Sequence, residues 1–299
     1  MLGRDGDRAR LFAANNGIQS GTNSLGKFLD QVDAVYVASP QRLHFMHALA
    51  ALNRGRHVLC EKPLTLSSAE TLELQRLARS KGLVFLEALK TAYAPGFVKL
   101  VELVREGVVG EVISVDAAFT KLLEPGQRET SGARGSGSLS ELGSYPLLAV
   151  AKLLGHYPKS VQVFSRMDPA GRYDEFTRVS LTYSRAVATA SVGFGGKTDG
   201  RLVVAGTSGF AVIPAPWWKA QLLEVRRESP DDVESHLFDS IGYGLVHEID
   251  EFVTLVAGQR TESSMLGSVD SSFLQSIIDL SPTIGPLTPP PFELTAIKV

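Results

Sequence analysis

Cysteine is almost missing from this chain of 299 residues: there is one, so an internal disulfide is excluded, as is a cysteine-rich metal site. Basic clusters are missing too. The formal net charge is −2, and no run of lysine or arginine offers the electrostatic footprint of a nucleic-acid binder. No stretch of ~18 apolar residues suits a membrane span, and the opening Met1-Leu2-Gly3-Arg4-Asp5 lacks the apolar core of a signal peptide. We therefore expect no nucleic-acid or membrane partner, and the cytoplasm is the default location. Among the histidines only His44 and His47 have a ligand-like spacing, three apart on a helix, with no cysteine or clustered acids beside them; no metal is expected. A hydrolase elbow is also lacking, since Gly135-Ser136-Gly137-Ser138 has only a superficial likeness to one. Finally, no Gly-x-Gly-x-x-Gly turn occurs.

What is present is the composition of a soluble globular chain, with 44% hydrophobic and 21% charged residues, enough to bury a sizeable core. Its length suits two ordinary domains better than one large one. Residues 33–38 (Asp-Ala-Val-Tyr-Val-Ala) are near-continuously apolar, as buried parallel strands are. Leu43, Met46, His47, Leu49, Ala50 and Leu52 recur at helical spacing over 41–54, and Gly55 suits the end of that helix. A strand at 56–60 follows. Ser67 and Glu70 have capping-box spacing for a helix to about Ser80, which Gly82 ends. Residues 83–87 read as another strand and 95–106 as an amphipathic helix on Phe97, Leu100, Val101 and Val104. This alternation predicts a doubly wound parallel sheet.

After Gly110 the texture changes. Residues 111–122, 159–167, 177–184, 186–195, 200–206 and 209–213 alternate or carry β-branched runs, which suggests an open, mainly antiparallel sheet. Helices are expected at 138–154, 244–257 and 265–279. The expected fold class is thus α/β followed by α+β, with domains at 1–110 and 111–299. Asp231, Asp232 and Glu234 after Pro230 read as a solvated loop, and Cys60 as a small buried hydrophobe. The tail Pro286-Leu287-Thr288-Pro289-Pro290-Pro291 reads as an extended surface strap.

The stretch Val58-Leu59-Cys60-Glu61-Lys62-Pro63-Leu64 closes a strand and opens a helix. It carries a lysine to the carboxyl edge of the sheet, where ligands bind in open α/β folds. Ser39-Pro40-Gln41-Arg42-Leu43-His44 follows the preceding strand at the same edge, and there His44 either caps its helix or lies near a binding site. Downstream come Glu87-Ala88, Gly107-Val108-Val109-Gly110-Glu111-Val112, and Gly137-Ser138-Leu139-Ser140-Glu141-Leu142-Gly143-Ser144-Tyr145-Pro146. This ordered set closely resembles the Gfo/Idh/MocA oxidoreductases, from about residue 3 to about residue 280.

The resemblance implies an incomplete Rossmann-like domain and a C-terminal α+β domain for substrate binding and oligomerisation. It implies an NADP- or NAD-dependent oxidoreductase moving a hydride at a carbinol carbon of a sugar, polyol or cyclic diol. A non-catalytic binder or regulator on the same fold is the alternative. Lys62 and Tyr145 take the family's proton-handling positions, with Lys62, Glu141 and Tyr145 toward the substrate. Arg4, Ser39, Pro40, His44, Glu61 and Lys62 are implied at the cofactor. A lysine works near neutrality only if burial or a neighbouring cation lowers its pKa, and a nearby ammonium is expected to lower that of Tyr145. Tyr145-Pro146 is similar to the dihydrodiol dehydrogenase and glucose-fructose oxidoreductase branch, while Glu141 stands for the family's aspartate and Leu148 for a carboxylate. Ala92 stands where the family has arginine, which weakens the case for NADP. A homo-oligomer paired through the second domain's sheet is also implied, with residues 177–195 able to form such a face.

The resemblance further implies that the family's first strand, phosphate loop and first helix are not among these residues. Either a start codon is placed late or the chain is trimmed, or the truncation is real; the maintained downstream motifs favour the former. We expect these 299 residues alone to bind NADPH or NADH weakly. Pyrophosphate is normally held by backbone N–H groups and a helix dipole. Losing several charge-assisted hydrogen bonds at ~1.5–3 kcal/mol each weakens affinity by roughly a few powers of ten or more. A fluorescence titration on this chain and on a version extended upstream checks this, and micromolar binding by the shorter one refutes it.

Overall fold

A computed structural model describes residues 1–124, 126–239 and 241–281. The proline-rich stretch at 286–291 lies outside the described residues. The first half contains helices α1 (Gly6–Asn15) and α2 (Leu25–Leu29), then strand β1 (Ala34–Val37), α3 (His44–Asn53), β2 (His57–Glu61), α4 (Ser68–Lys81), β3 (Phe85–Ala88) and α5 (Pro95–Arg105). The strands pair in parallel in the order β1-β2-β3, with Val37 opposite Cys60 and Glu61 opposite Ala88. A parallel bridge between Leu2 and Thr22 lies outside that sheet.

The periodicity pointed to α3, α4 and α5 but passed over α1 and α2. In α1 only Ala9 and Ala13 are buried, so a pair of small residues carries its inward face and leaves little apolar signal. At α4 the capping box is half formed: Ser67 accepts from the Glu70 N–H at 3.3 Å, but the Glu70 carboxylate reaches the Leu66 N–H at 3.1 Å instead.

The second half contains β4 (Val112–Thr120), α6 (Ser138–Leu142), α7 (Ser144–Leu154), β5 (Ser160–Met167), β6 (Asp174–Thr182), β7 (Val187–Gly193), β8 (Leu202–Gly206) and β9 (Gly209–Ile213). It continues with β10 (Leu222–Arg226), β11 (Val233–Leu237), α8 (Leu245–Ala257) and α9 (Ser268–Ile278). The eight strands order as β11-β10-β9-β8-β4-β7-β6-β5, and every pairing is antiparallel except that of β4 with β7.

Two expectations need correction here. The single helix over 138–154 is two, α6 and α7, because Pro146 in the first turn of α7 has no N–H to offer the turn before it. The acidic stretch is not simply a loop: Asp231 and Asp232 form a turn, and Glu234 sits in edge strand β11. Its short, charged and mostly exposed strand carries no apolar alternation to detect.

The two sheets share a core. Leu59, Leu86 and Leu89 from the first half pack in one buried cluster with Phe97, Leu147, Leu148, Leu181, Val204 and Trp217. Helix α9 closes the assembly onto α4: Gln75 donates to the Ser268 carbonyl and accepts from the Ser272 hydroxyl, both at 2.8 Å, and the Ser68 N–H reaches Asp279 at 2.7 Å.

Asp174, buried at the start of β6, fixes the entry to α6. One carboxylate oxygen accepts from the Ser138 hydroxyl (2.5 Å), the Leu139 N–H (2.8 Å) and the Thr177 hydroxyl (2.7 Å). Gly137 precedes them at φ 106, and a Cβ there would meet Asp174 Oδ1 at 2.1 Å. That turn therefore requires glycine for conformation and packing alike. Asp174→Ala removes the acceptor that three donors share, leaving Ser138 and Thr177 only their weaker contacts to the Val192 carbonyl and the Ser165 hydroxyl, and we expect a loss of about 2–4 kcal/mol of unfolding free energy. Urea denaturation measures it; a change within about 0.5 kcal/mol would mean water replaces the carboxylate without cost.

Candidate active site

The carboxyl ends of three adjacent parallel strands deliver the loops of the site. Ser39 and Pro40 follow β1, Lys62 and Pro63 follow β2, and Lys90 follows β3. In open α/β sheets this edge is the binding edge. From the other half, the α6–α7 junction contributes Glu141 and Tyr145, and the first turn of α8 contributes Glu248.

Lys62 meets Glu141 across the two halves. Its ammonium donates to the Glu141 carboxylate at 2.8 Å and to the Glu141 carbonyl at 2.7 Å. An ammonium has three N–H bonds, so one is left for a ligand. The other Glu141 oxygen accepts from the Gln41 side-chain amide at 2.5 Å and lies 3.6 Å from Arg128. Both Glu141 carboxylate oxygens are therefore engaged, one by Lys62 and the other by Gln41, so Glu141 anchors Lys62. The same Lys62 ammonium lies 5.8 Å from the centre of the Tyr145 ring. Tyr145 packs edge-on to Phe119 at 4.9 Å, and Phe119 stacks on Trp218 at 3.6 Å, giving the cleft an aromatic wall. The Tyr145 hydroxyl makes no hydrogen bond among the described residues.

The expectation that an ammonium lowers the Tyr145 pKa is overturned. Burial pushes it up, and the charges of Glu61, Glu248 and Glu141 push it further, so the phenol holds its proton tightly. Lys62 does not reverse this because Glu141 neutralises its charge locally.

The remaining expected residues divide. His44 lies buried beneath the loops: its Nδ1 meets the Pro63 carbonyl at 2.9 Å and its Nε2 the Ser39 carbonyl at 2.8 Å. With both nitrogens engaged it braces the two loops and presents no ring nitrogen to a ribose. Ser39 uses its hydroxyl on His47 Nδ1 at 2.9 Å. Pro40 sits at the loop surface opposite Arg128 and Arg134, in a small crevice. Glu61 accepts the Tyr36 hydroxyl at 2.5 Å and its own neighbour's N–H, that of Lys62, at 3.3 Å. Arg4 is exposed after the Leu2 bridge and forms no ion pair among the described residues. The Gly135-Ser136-Gly137 turn is explained by packing: a Cβ on Gly135 would strike Leu66 at 2.7 Å. Cys60 is fully buried, and burial raises its thiol pKa well above the ordinary value. No group of three or more His, Cys, Asp or Glu suited to a metal ion occurs among the described residues.

Sequence reasoning missed Tyr36, Lys90 and Glu248. Glu248 had a signal. It occupies the same helical stripe as Phe252 and Leu255, which form the buried face of α8, and an acid in such a stripe calls for a reason. The side chain is 1% exposed and its Oε2 has no partner. Burial and the charge of Glu61 raise its pKa to about 8, against the opposing pull of Lys90. Glu87, beneath Lys62, is likewise buried with an unpartnered oxygen, and burial raises it to about 7. Lys90 is lowered, first by burial, with Glu248 and Glu61 resisting. Perturbed groups of this kind gather at functional sites. A cavity of about 630 Å³ lies beside Pro63, Ser140 and Arg172, and neither Lys62 nor Tyr145 lines it.

These groups make stability depend on pH. An unfolded chain releases the Glu248 proton near 4.5, whereas the folded chain keeps it to about 8. Between those values the native state binds the extra proton, so stability falls as pH rises. Glu248→Gln removes that penalty. We expect its Tm to exceed that of the unsubstituted protein by ~2–4 °C or more at about pH 8.5 and by less at about pH 5. Thermal melts across pH test this, and parallel curves would refute it.

Comparison with known proteins adds to this geometry. Residues 1–88 match an oxidoreductase family described as having an NAD-binding Rossmann fold, and residues 97–212 match the GFO/IDH/MocA C-terminal domain. The trans-1,2-dihydrobenzene-1,2-diol dehydrogenase of Bos taurus is 29% identical over 289 residues, spanning 93% of this chain and 86% of that protein. The dTDP-3,4-didehydro-2,6-dideoxy-alpha-D-glucose 3-reductase of Streptomyces antibioticus is 40% identical over 155 residues, 51% of this chain and 47% of that one. Among solved structures, a 3-ketoreductase from Actinomadura kijaniata, in complex with NADP and TDP-benzene, superposes with a TM-score of 0.80. It is 26% identical and covers 93% of this chain and 86% of its own.

Proposed function

Because this chain belongs to the Gfo/Idh/MocA family of NAD-binding oxidoreductases, we propose that its Lys62–Tyr145 cleft oxidises a carbinol, or reduces the matching carbonyl, of a sugar, polyol or cyclic diol. The observation that carries the reading is the Lys62 ammonium, tied twice to Glu141 with one N–H to spare, beside a tyrosine hydroxyl with no partner among the described residues. The names of the relatives agree with the substrate class, since they act on a dihydrodiol and on a deoxysugar nucleotide.

The loops after β1 and β2 fit the nicotinamide end of NAD or NADP. They lie side by side at the carboxyl edge of a parallel sheet, and the buried His44 holds their carbonyls in place. Ser39, Pro40, Glu61 and Lys62 would line that end. When bound, the cofactor supplies or accepts the hydride. The chain's own part is the proton and the charge. In the reducing direction the carbonyl oxygen gains negative charge, and the spare Lys62 N–H stabilises it. Tyr145 then transfers its proton to that oxygen. An alkoxide is basic enough to take a proton even from a phenol made reluctant by burial. Glu141 keeps the Lys62 ammonium aimed by satisfying its other two N–H bonds.

We take the cofactor-binding part as residues 1–110 and the substrate part as 111–299, with the chains pairing through the exposed face of the eight-stranded sheet. The expected compartment is the cytosol, where reduced nicotinamide cofactors are regenerated. No described helix is long and apolar enough to cross a membrane. A purely regulatory role is the weaker reading, because a binder has no need of an anchored ammonium facing an unpaired phenol.

The test is steady-state turnover of sugars, polyols and cyclic diols at saturating NAD(P) or NAD(P)H. Lys62→Met and Tyr145→Phe should each lower kcat by ~10²–10⁴ with far smaller changes in KM. Unchanged kcat in both would return the chain to the binder reading.

A further inference from the structure

Glu87 is an acid buried within a strand. It stands in β3 between Leu86 and Ala88, is 3% exposed, and pairs in register with Cys60 of β2, two residues before Lys62. Its Oε2 has no partner among the described residues. A buried carboxyl is costly unless hydrogen bonds compensate, and an apolar side chain of similar size would cost less there. The turn Lys62-Pro63-Leu64 supplies the reason. It lies beyond the last β2–β3 pair, Glu61 with Ala88, and side chains hold its backbone instead. Glu61 takes the Lys62 N–H at 3.3 Å, His44 meets the Pro63 carbonyl at 2.9 Å, and the Cys60 thiol meets the Leu64 carbonyl at 3.7 Å. Pro63 has no N–H, so the next donor after that of Lys62 is the Leu64 N–H. Leu64 is 2% exposed, and a buried N–H needs an acceptor within the protein. That acceptor is the Glu87 carboxylate, which the Ser271 hydroxyl of α9 also meets.

We propose that Glu87 is a positioning residue: it clamps the turn after Lys62 onto β3 and α9, and so fixes where the Lys62 ammonium stands. The inference rests on the proposed function, because the group it positions is the one that function uses. Lys62 spans from this turn to Glu141 through hydrogen bonds of 2.7 and 2.8 Å, and a turn displaced by about 1 Å breaks them. A misplacement of about that size costs on the order of a hundred-fold in rate. Through Ser271 the clamp also engages α9, whose other contacts reach α4. The role calls for an acceptor oxygen rather than a charge, since burial keeps Glu87 protonated up to about 7. Glutamine offers that oxygen and alanine does not.

The experiment measures kcat and KM of the full chain at saturating NAD(P) or NAD(P)H, with sugars, polyols and cyclic diols as probes, and amide hydrogen exchange over residues 61–66. Melting curves establish that every variant is folded at the assay temperature. We expect Glu87→Ala to lower kcat by roughly ten- to a hundred-fold with KM within about twofold. Glu87→Gln should recover most of that loss. A residue that acts through Lys62 has little left to lose once Lys62 is gone, so in a Lys62→Met background Glu87→Ala should cost no more than about twofold further. Exchange at 61–66 should quicken at least about tenfold in Glu87→Ala and stay near the unsubstituted rate in Glu87→Gln. A Glu87→Ala variant that keeps its kcat overturns the proposal, as does a loss equally large without Lys62, or unchanged exchange. Glu87 is then a buried acid that serves folding alone. The two readings separate. If Lys62→Met and Tyr145→Phe abolish turnover while Glu87→Ala does not, the oxidoreductase reading stands and the positioning role falls. If Lys62→Met and Tyr145→Phe leave kcat unchanged, the oxidoreductase reading falls, and exchange decides whether Glu87 holds the turn.

Discussion

Lys62 reaches from the end of β2 to Glu141 on α6, and that contact ties the parallel half of the cleft to the antiparallel half. Both partners are largely buried, with side chains 12% and 16% exposed, so removing either would leave a charge in a weakly screened place. The pair is itself held at its ends. Gln41 engages the second Glu141 oxygen, and Asp174 of β6 accepts from the Leu139 N–H and the Ser138 hydroxyl in the first turn of α6. A continuous chain of contacts thus runs from the antiparallel sheet through a five-residue helix to an ammonium on the parallel sheet.

The cleft concentrates like charges at close quarters. Glu61, Glu141 and Glu248 act together on Tyr145, while Lys62 and Lys219 act on Lys90. Burial is nevertheless the first cause of the shifts here, and the poorly screened charges add to or oppose it. Glu248 and Glu87 hold on to theirs, Tyr145 does the same, and Lys90 gives its own up more readily. Opposite this polar edge stands the Trp218–Phe119–Tyr145 wall. A molecule with hydroxyls on its rim and an apolar ring face satisfies both sides, which is the shape of the substrates proposed.

Local patterns carried much of the architecture into view. Apolar runs marked β1 and β2, helical spacing marked α3 and α5, and alternation marked β5 to β9. Where the signal was small or charged it disappeared: α1 turns inward on two alanines, and β11 is an exposed edge strand. The Pro146 break shows another limit, since spacing alone does not reveal that a helix restarts. Within the site, Lys62 and Tyr145 stood out because a motif surrounds them. Tyr36 and Lys90 did not, because nothing adjacent in sequence marks a strand tyrosine or a loop lysine as facing a cleft.

By itself the sequence determined the order of elements, the parallel and antiparallel halves, and the residues able to move a proton. These depend on period and local chemistry, which near neighbours encode. Only the tertiary structure decided what each group does. Glu141 became an anchor, His44 a brace beneath two loops, and Tyr145 a tight holder of its proton. Such roles depend on burial and on charges brought from residues far apart in the chain, as Glu248 is from Lys90. Desolvation and Coulomb interactions act through space, and no spacing along a sequence reports that distance.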